Sequence, residues 1–108
     1  MDAFKKAEKF NLNNSVEYTD GAIVSKILTR NGAGNVTLFS FDAGQSLSEH
    51  TAPFDAIVQV VEGDAIITIN KEQHNLLKGE CIIMPADIPH AVYAKSRFKM
   101  LLTMIKEK

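Results

Sequence analysis

The chain has 108 residues, 45% hydrophobic and 23% charged, with a formal net charge of −1 at pH 7. That length supports one hydrophobic core rather than two, and near-neutral charge with scattered lysines argues against nucleic acid or an anionic membrane as partner. The only cysteine, Cys81, excludes an internal disulfide, and the N-terminus lacks the apolar run of a signal peptide, so a reducing cytoplasm is the expected setting.

Residues 1–20 read as an arm and residues 21–108 as the folded body. Phe4, Ala7, Glu8 and Phe10 have the spacing of a short helix, which Asn11, Asn13 and Asn14 stop. The arm is expected to pack on the body or on a neighbouring subunit, and Lys5, Lys6 and Lys9 to form a solvated face. From Gly21 onward the pattern is strand and turn. Ala22 to Thr29 is rich in β-branched and aliphatic residues, and Asn31-Gly32-Ala33-Gly34 is a turn signal. Val36 to Phe41 follows as a strand with apolar residues on both faces. Ala56–Val61 and Ala65–Ile69 flank Glu62-Gly63-Asp64, a tight hairpin in which Glu62 has a structural place. Gln59 is expected to face outward. His74 falls in the polar stretch Asn70–Asn75, expected to be an exposed connection. Cys81–Met84 is a short apolar run closed by Pro85, with Cys81 expected to be an inert core thiol. Phe98 to Ile105 alternates, placing Phe98, Met100, Leu102 and Met104 on one face.

Many short strands without a central helix predict an all-β protein, and pattern alone leaves an immunoglobulin-like sandwich and a barrel both open. Several strands carry apolar side chains on two faces, yet a barrel has one interior. A homodimer that buries an outer sheet face is therefore expected.

Two motifs narrow the choice. The first is Gly44-x5-His50-x-Ala52-x3-Ala56-x6-Gly63, and the second is Gly79-x5-Pro85-x-Asp87-x2-His90-x3-Ala94. They resemble the cupin motifs G-x5-H-x-H-x3,4-E-x6-G and G-x5-P-x-G-x2-H-x3-N. The resemblance covers the middle half of the chain and implies a cupin double-stranded β-helix, a jelly-roll barrel of about eight strands preceded by a short arm. Ser48–Ala56 is similar to a small single-domain group of cupins. In metal-binding cupins two histidines and a glutamate of the first motif converge with the histidine of the second. Carried over by position, His50 and His90 match, whereas Ala52 and Ala56 stand where a histidine and the glutamate would be. Asp87 and Ala94 replace a glycine and an asparagine.

The implied site is half of a metal centre. His50 and His90 are the candidate metal ligands, for a divalent transition ion such as iron, zinc, nickel or manganese. Glu49 and Asp55 neighbour ligand positions, and alternation turns both away. Should Pro53 and Phe54 bend the chain, Asp55 would complete a two-histidine, one-carboxylate set of the kind that holds iron(II). Without metal, a neutral histidine serves as general acid or base, as in cupin sugar epimerases that pair it with tyrosine. Here Tyr93 falls on the face opposite His90. The two alanines also open volume, to be filled by Met84 or Met100, by water or by a ligand. The expected ligand-binding residues are His50, Ala52, Ala56, Met84, His90 and Met100. Three functions remain: a binder of an unknown small molecule, a metal-dependent dioxygenase or isomerase, and a structural or interaction role for the dimer. Whether the chain is an enzyme stays open.

Overall fold

The computed structural model describes residues 4–106. It contains nine strands: β1 (Ile23–Asn31), β2 (Gly34–Phe41), β3 (Ser46–His50), β4 (Ala56–Glu62), β5 (Asp64–Ile69), β6 (Glu72–Leu77), β7 (Cys81–Met84), β8 (His90–Tyr93) and β9 (Phe98–Ile105). All pair antiparallel. One sheet has the order β1-β2-β9-β4-β7 and the other β3-β8-β5-β6. Among the described residues no helix is long and apolar enough to cross a membrane.

Strand alternation decides what lies between the sheets. In β4, Ala56, Val58 and Val60 are buried while Ile57 and Gln59 are half-exposed, as expected for Gln59. In β5, Ala65 and Ile67 point in. Phe41 of β2 stacks on Phe98 of β9 with ring centroids 4.5 Å apart and planes 13° apart. Each of these large side chains contributes about 1.5–3 kcal/mol on leaving water. Gly63 joins β4 to β5 at φ 74, and a Cβ there would lie 2.5 Å from the Arg97 carbonyl oxygen. Only glycine meets both conditions.

Three strands escaped the sequence reading. β3 and β8 are short. β6 is polar apart from its last two residues, and is formed because Asn70 and Lys71, at φ 49 and 68, close a two-residue hairpin. His74 therefore lies in a strand, in register with Ile67 and half-buried, rather than in a connection. Cys81 is a second correction. Ile82 and Met84 take the inward positions of β7, so Cys81 faces out and is exposed.

Among its described residues, from Phe4 onward, the arm forms no α-helix. Ala7 adopts φ 65, and the asparagines build a 3-10 turn at Asn13–Ser15 instead. Asn11 Oδ1 accepts the Asn14 N–H at 3.0 Å, and the Ser15 hydroxyl donates to Asn11 O at 2.6 Å. Such side-chain bonds compete with helix propagation. The arm then packs on the outer face of the five-stranded sheet. Val16 is 1% exposed, the Ser40 hydroxyl donates to Glu17 O at 2.8 Å, and Lys99 Nζ donates to Asn13 O at 2.6 Å. Part of the outer face is thus covered by the chain itself. Ile57, Gln59, Leu101, Cys81 and Ile83 remain beyond the arm on that face, with Ile83 59% exposed.

Glu62 is where the arm is fastened. Its carboxylate accepts from Asn13 Nδ2 at 3.0 Å and from the Tyr18 hydroxyl, with Lys99 Nζ at 3.9 Å. The hydrogen bonds from Tyr18 and Asn13 hold the Glu62 carboxyl below the usual range, against the opposing effect of burial. Burial, then the bond to Glu62, pushes the Tyr18 hydroxyl up. Two cations lie near the Tyr18 ring, Arg97 at 5.2 Å and Lys99 at 5.1 Å from its centroid. Arg97 also pairs with Asp42 and Asp20.

Candidate functional site

His50 ends β3 and His90 begins β8, and their Cα atoms are partners in the four-stranded sheet. Simple alternation from Leu47, which packs on the core, would turn His50 outward. A β-bulge between Leu47 and His50 reverses that parity and aims His50 at His90. The two Nε2 atoms are 3.1 Å apart, with ring planes at 69°. His90 is buried, whereas His50 is exposed and opens the site to solvent.

Each ring is anchored through its other nitrogen. His50 Nδ1 lies 2.8 Å from Ser48 O, and His90 Nδ1 lies 3.2 Å from Ile88 O. A carbonyl oxygen only accepts, so both Nδ1 atoms carry hydrogen. In the neutral rings both Nε2 atoms are then bare lone pairs facing one another at hydrogen-bonding distance. That arrangement is satisfied by a proton shared between the two rings, or by a cation or hydrogen donor that reaches both lone pairs. Burial pushes the His90 pKa below its ordinary value, the His50 charge adds to this, and the bond to Ile88 opposes it. His90 therefore tends to the neutral form that keeps its lone pair available.

The other expected site residues fall into place around this pair or away from it. Ala56 is buried, and its cross-strand partners are Met84 on one side and Met104 on the other. Met104 was not singled out from the sequence, although its alternation with Phe98 and Met100 already put it inside. Ala52 is half-buried, and its carbonyl accepts the Asp87 N–H at 2.7 Å. Met100 pairs with Val60, four residues along β9 from Met104, and is a packing residue deep in the core.

Asp55 does not turn to the histidines. Its Oδ1 accepts the Ala86 N–H at 2.8 Å, so it turns away as alternation expects, and the alternative two-histidine, one-carboxylate set does not form. Among the described residues no third histidine, cysteine, aspartate or glutamate joins the pair in a metal-holding group. Tyr93 is exposed while His90 and Val92 are buried, which leaves no tyrosine partner on the His90 face of β8. A groove of about 940 Å³ runs between arm residues 4–10 and β1, and a smaller one of about 220 Å³ lies at the β1–β2 turn. Neither is lined by the histidines.

Known proteins agree with this architecture. The family model described as "Cupin domain" matches residues 37–106. A Streptococcus pyogenes protein of unknown function superposes with a TM-score of 0.92 at 36% identity, covering 99% of this chain and 94% of that one. A cupin superfamily protein from Desulfitobacterium hafniense gives 0.91 at 26% identity, covering 98% and 97%. A cupin 2 conserved barrel domain protein from Leptotrichia buccalis gives 0.87 at 43% identity; the match covers 90% of this chain and 47% of that one, so this chain spans about half of its length. An uncharacterised Streptomyces coelicolor protein is 32% identical over 71 residues, 66% of each chain.

Proposed function

Because this chain belongs to the cupin domain family, and its barrel presents two facing imidazoles, we propose that it binds a small molecule beside His50 and His90. The observation that carries the reading is the 3.1 Å gap between two Nε2 lone pairs whose Nδ1 hydrogens are already engaged. A hydroxyl, an ammonium or an acid proton of a ligand satisfies what the protein leaves unsatisfied. In this reading Ala52, Ala56 and Met84 form the apolar wall of the site; Met84 and Met104 are the cross-strand partners of Ala56. An apolar wall with a few convergent polar atoms suits a compact organic molecule with one polar end.

The same gap favours a second reading, in which His50 and His90 hold one divalent transition metal ion. Two nitrogens each about 2.0–2.1 Å from a single ion lie about 3 Å apart when adjacent in its coordination shell. Carbonyl acceptors on Nδ1 are also the usual way a ligating imidazole is oriented. Ala52 and Ala56 offer no donor, so this set fits an exchangeable ion with water or substrate in the remaining positions, not a closed structural site. Such an ion would supply Lewis-acid polarisation of a bound oxygen, and an isomerase or dioxygenase is the corresponding enzyme class. The chain's own part would be to hold His90 neutral, orient both rings and leave His50 open to incoming ligand.

A homodimer through the outer face at Ile57, Leu101 and Ile83 accompanies either reading, and a cytoplasmic setting suits the free thiol of Cys81. The test is a thermal-shift screen of small metabolites and divalent metals, with and without chelator, on wild type, His50→Ala and His90→Ala. Stabilisation in wild type that both variants lose supports the site. Chelator sensitivity selects the metal reading. Equal shifts in all three proteins, or none in wild type, would sink both.

A further inference from the structure

The loop after β3 and the loop before β8 are fastened to each other beside the histidines. Asp87 N–H donates to Ala52 O at 2.7 Å, and Ala86 N–H donates to Asp55 Oδ1 at 2.8 Å. At its far end the second loop is held by the Asn70 N–H, which donates to Pro89 O at 2.8 Å. The backbone of Asp55 is itself seated, its carbonyl accepting the Ile105 N–H at 3.4 Å at the end of β9. One residue thus ties the end of β9, through its carbonyl, to the segment Pro85–Pro89, through its carboxylate, at the entry to β4.

That segment needs an external hold. Two of its five residues are prolines, which offer no N–H, and Asp87 sits at φ 63, a backbone state that non-glycine residues adopt at a cost. Its Ala86 and Asp87 N–H groups are both spent on the clamp. The segment carries Ile88, whose carbonyl accepts the His90 Nδ1 hydrogen. The position of that carbonyl sets the His90 tautomer and the direction of its Nε2.

We infer that Asp55 is a positioning residue for the two-histidine site, its carboxylate holding the Pro85–Pro89 loop so that Ile88 O aims His90 Nε2 at His50 Nε2. The inference rests on the reading of that pair as the binding site. Asp55 acts as a hydrogen-bond acceptor here, so asparagine replaces it and alanine does not.

The experiment records ring-nitrogen NMR spectra of histidine-labelled wild type, Asp55→Asn, Asp55→Ala and Asp55→Leu, followed by titration with zinc ion alone. The expected result is a bonded Nδ1–H tautomer for His90 in wild type and Asp55→Asn. In Asp55→Ala and Asp55→Leu, His90 shows mixed tautomers and fast Nδ1–H exchange, and zinc affinity falls about tenfold, as when an orienting partner of a ligand is removed. Backbone amide spectra show whether each variant is folded. Unchanged His90 ring signals in folded Asp55→Ala would overturn the inference, whatever zinc does. Failure of both the alanine and leucine variants to fold would overturn it too, by making Asp55 a residue of the fold. Altered ring signals with no zinc binding in wild type would support Asp55 while removing the metal reading.

Discussion

Replacing Glu62 by alanine should cost far more than an exposed acidic residue ordinarily would. Two donors, Asn13 Nδ2 and the Tyr18 hydroxyl, lose their carboxylate acceptor. Hydrogen bonds to a charged group are worth about 1.5–3 kcal/mol each, and with the side chain 38% exposed the lower end applies, about 3 kcal/mol for the two. The Lys99 contact at 3.9 Å adds little. For a chain of this size such a loss lowers Tm by about 12–24 °C. Glutamine is the milder change, because its amide accepts from Asn13 and donates to the tyrosine oxygen, so that about 1 kcal/mol is lost with the charge. The sign with pH follows from the lowered carboxyl. The contribution is fully present above the unfolded value, about 4.3, and fades as pH falls through the folded value. Urea unfolding of wild type, Glu62→Gln and Glu62→Ala from pH 7 to pH 3, at one protein concentration, measures both effects. An alanine variant within about 0.5 kcal/mol of wild type at pH 7 would refute the reasoning. So would a glutamine variant with the same acid dependence as wild type.

Gly63→Ala should destabilise by about 2–3 kcal/mol, since it combines a left-handed backbone with a Cβ 2.5 Å from the Arg97 carbonyl oxygen; thermal unfolding with no significant shift would contradict the hairpin geometry. If the proposed homodimer forms through the outer face, Ile83→Glu should sediment as a monomer where wild type sediments as a dimer, and Cys81, two residues along the same face of β7, should react faster with a thiol reagent in that variant than in wild type. Equal sedimentation and equal thiol reactivity in the two proteins would place any self-association elsewhere.

Much of the fold could be read because its strands follow burial. Val58 and Val60 alternate with Ile57 and Gln59 as a half-covered strand must, and Cys81–Met84 and Phe98–Ile105 were bounded correctly at both ends. β6 was hidden because its sequence, Glu-Gln-His-Asn-Leu-Leu, is held by pairing to Ile66–Ile69 and by the hairpin at Asn70-Lys71, neither of which shows as hydrophobic pattern. Cys81 misled for the opposite reason: an apolar run of four looks buried on both faces, while an outer strand of the sheet buries one. Motif spacing singles out His50 and His90, which the fold brings together, but not the bulge that turns His50 toward His90. The destination of Asp55 depended on an N–H 31 residues away, which no local pattern encodes. Nor could sequence reveal that Asn13, Tyr18 and Glu62 meet, because the arm's route across the sheet is a tertiary choice.

The placement of Glu62 and Ala56 at opposite ends of β4 has a bearing on how such a barrel changes over time. Seven residues of strand put about 20 Å between them. The polar network that secures the arm is therefore insulated from the mouth where the histidines sit. Side chains near Ala56 can be exchanged without drawing on the hydrogen bonds that hold the arm to Glu62. A barrel built this way can change side chains at one end while the arm stays fastened at the other.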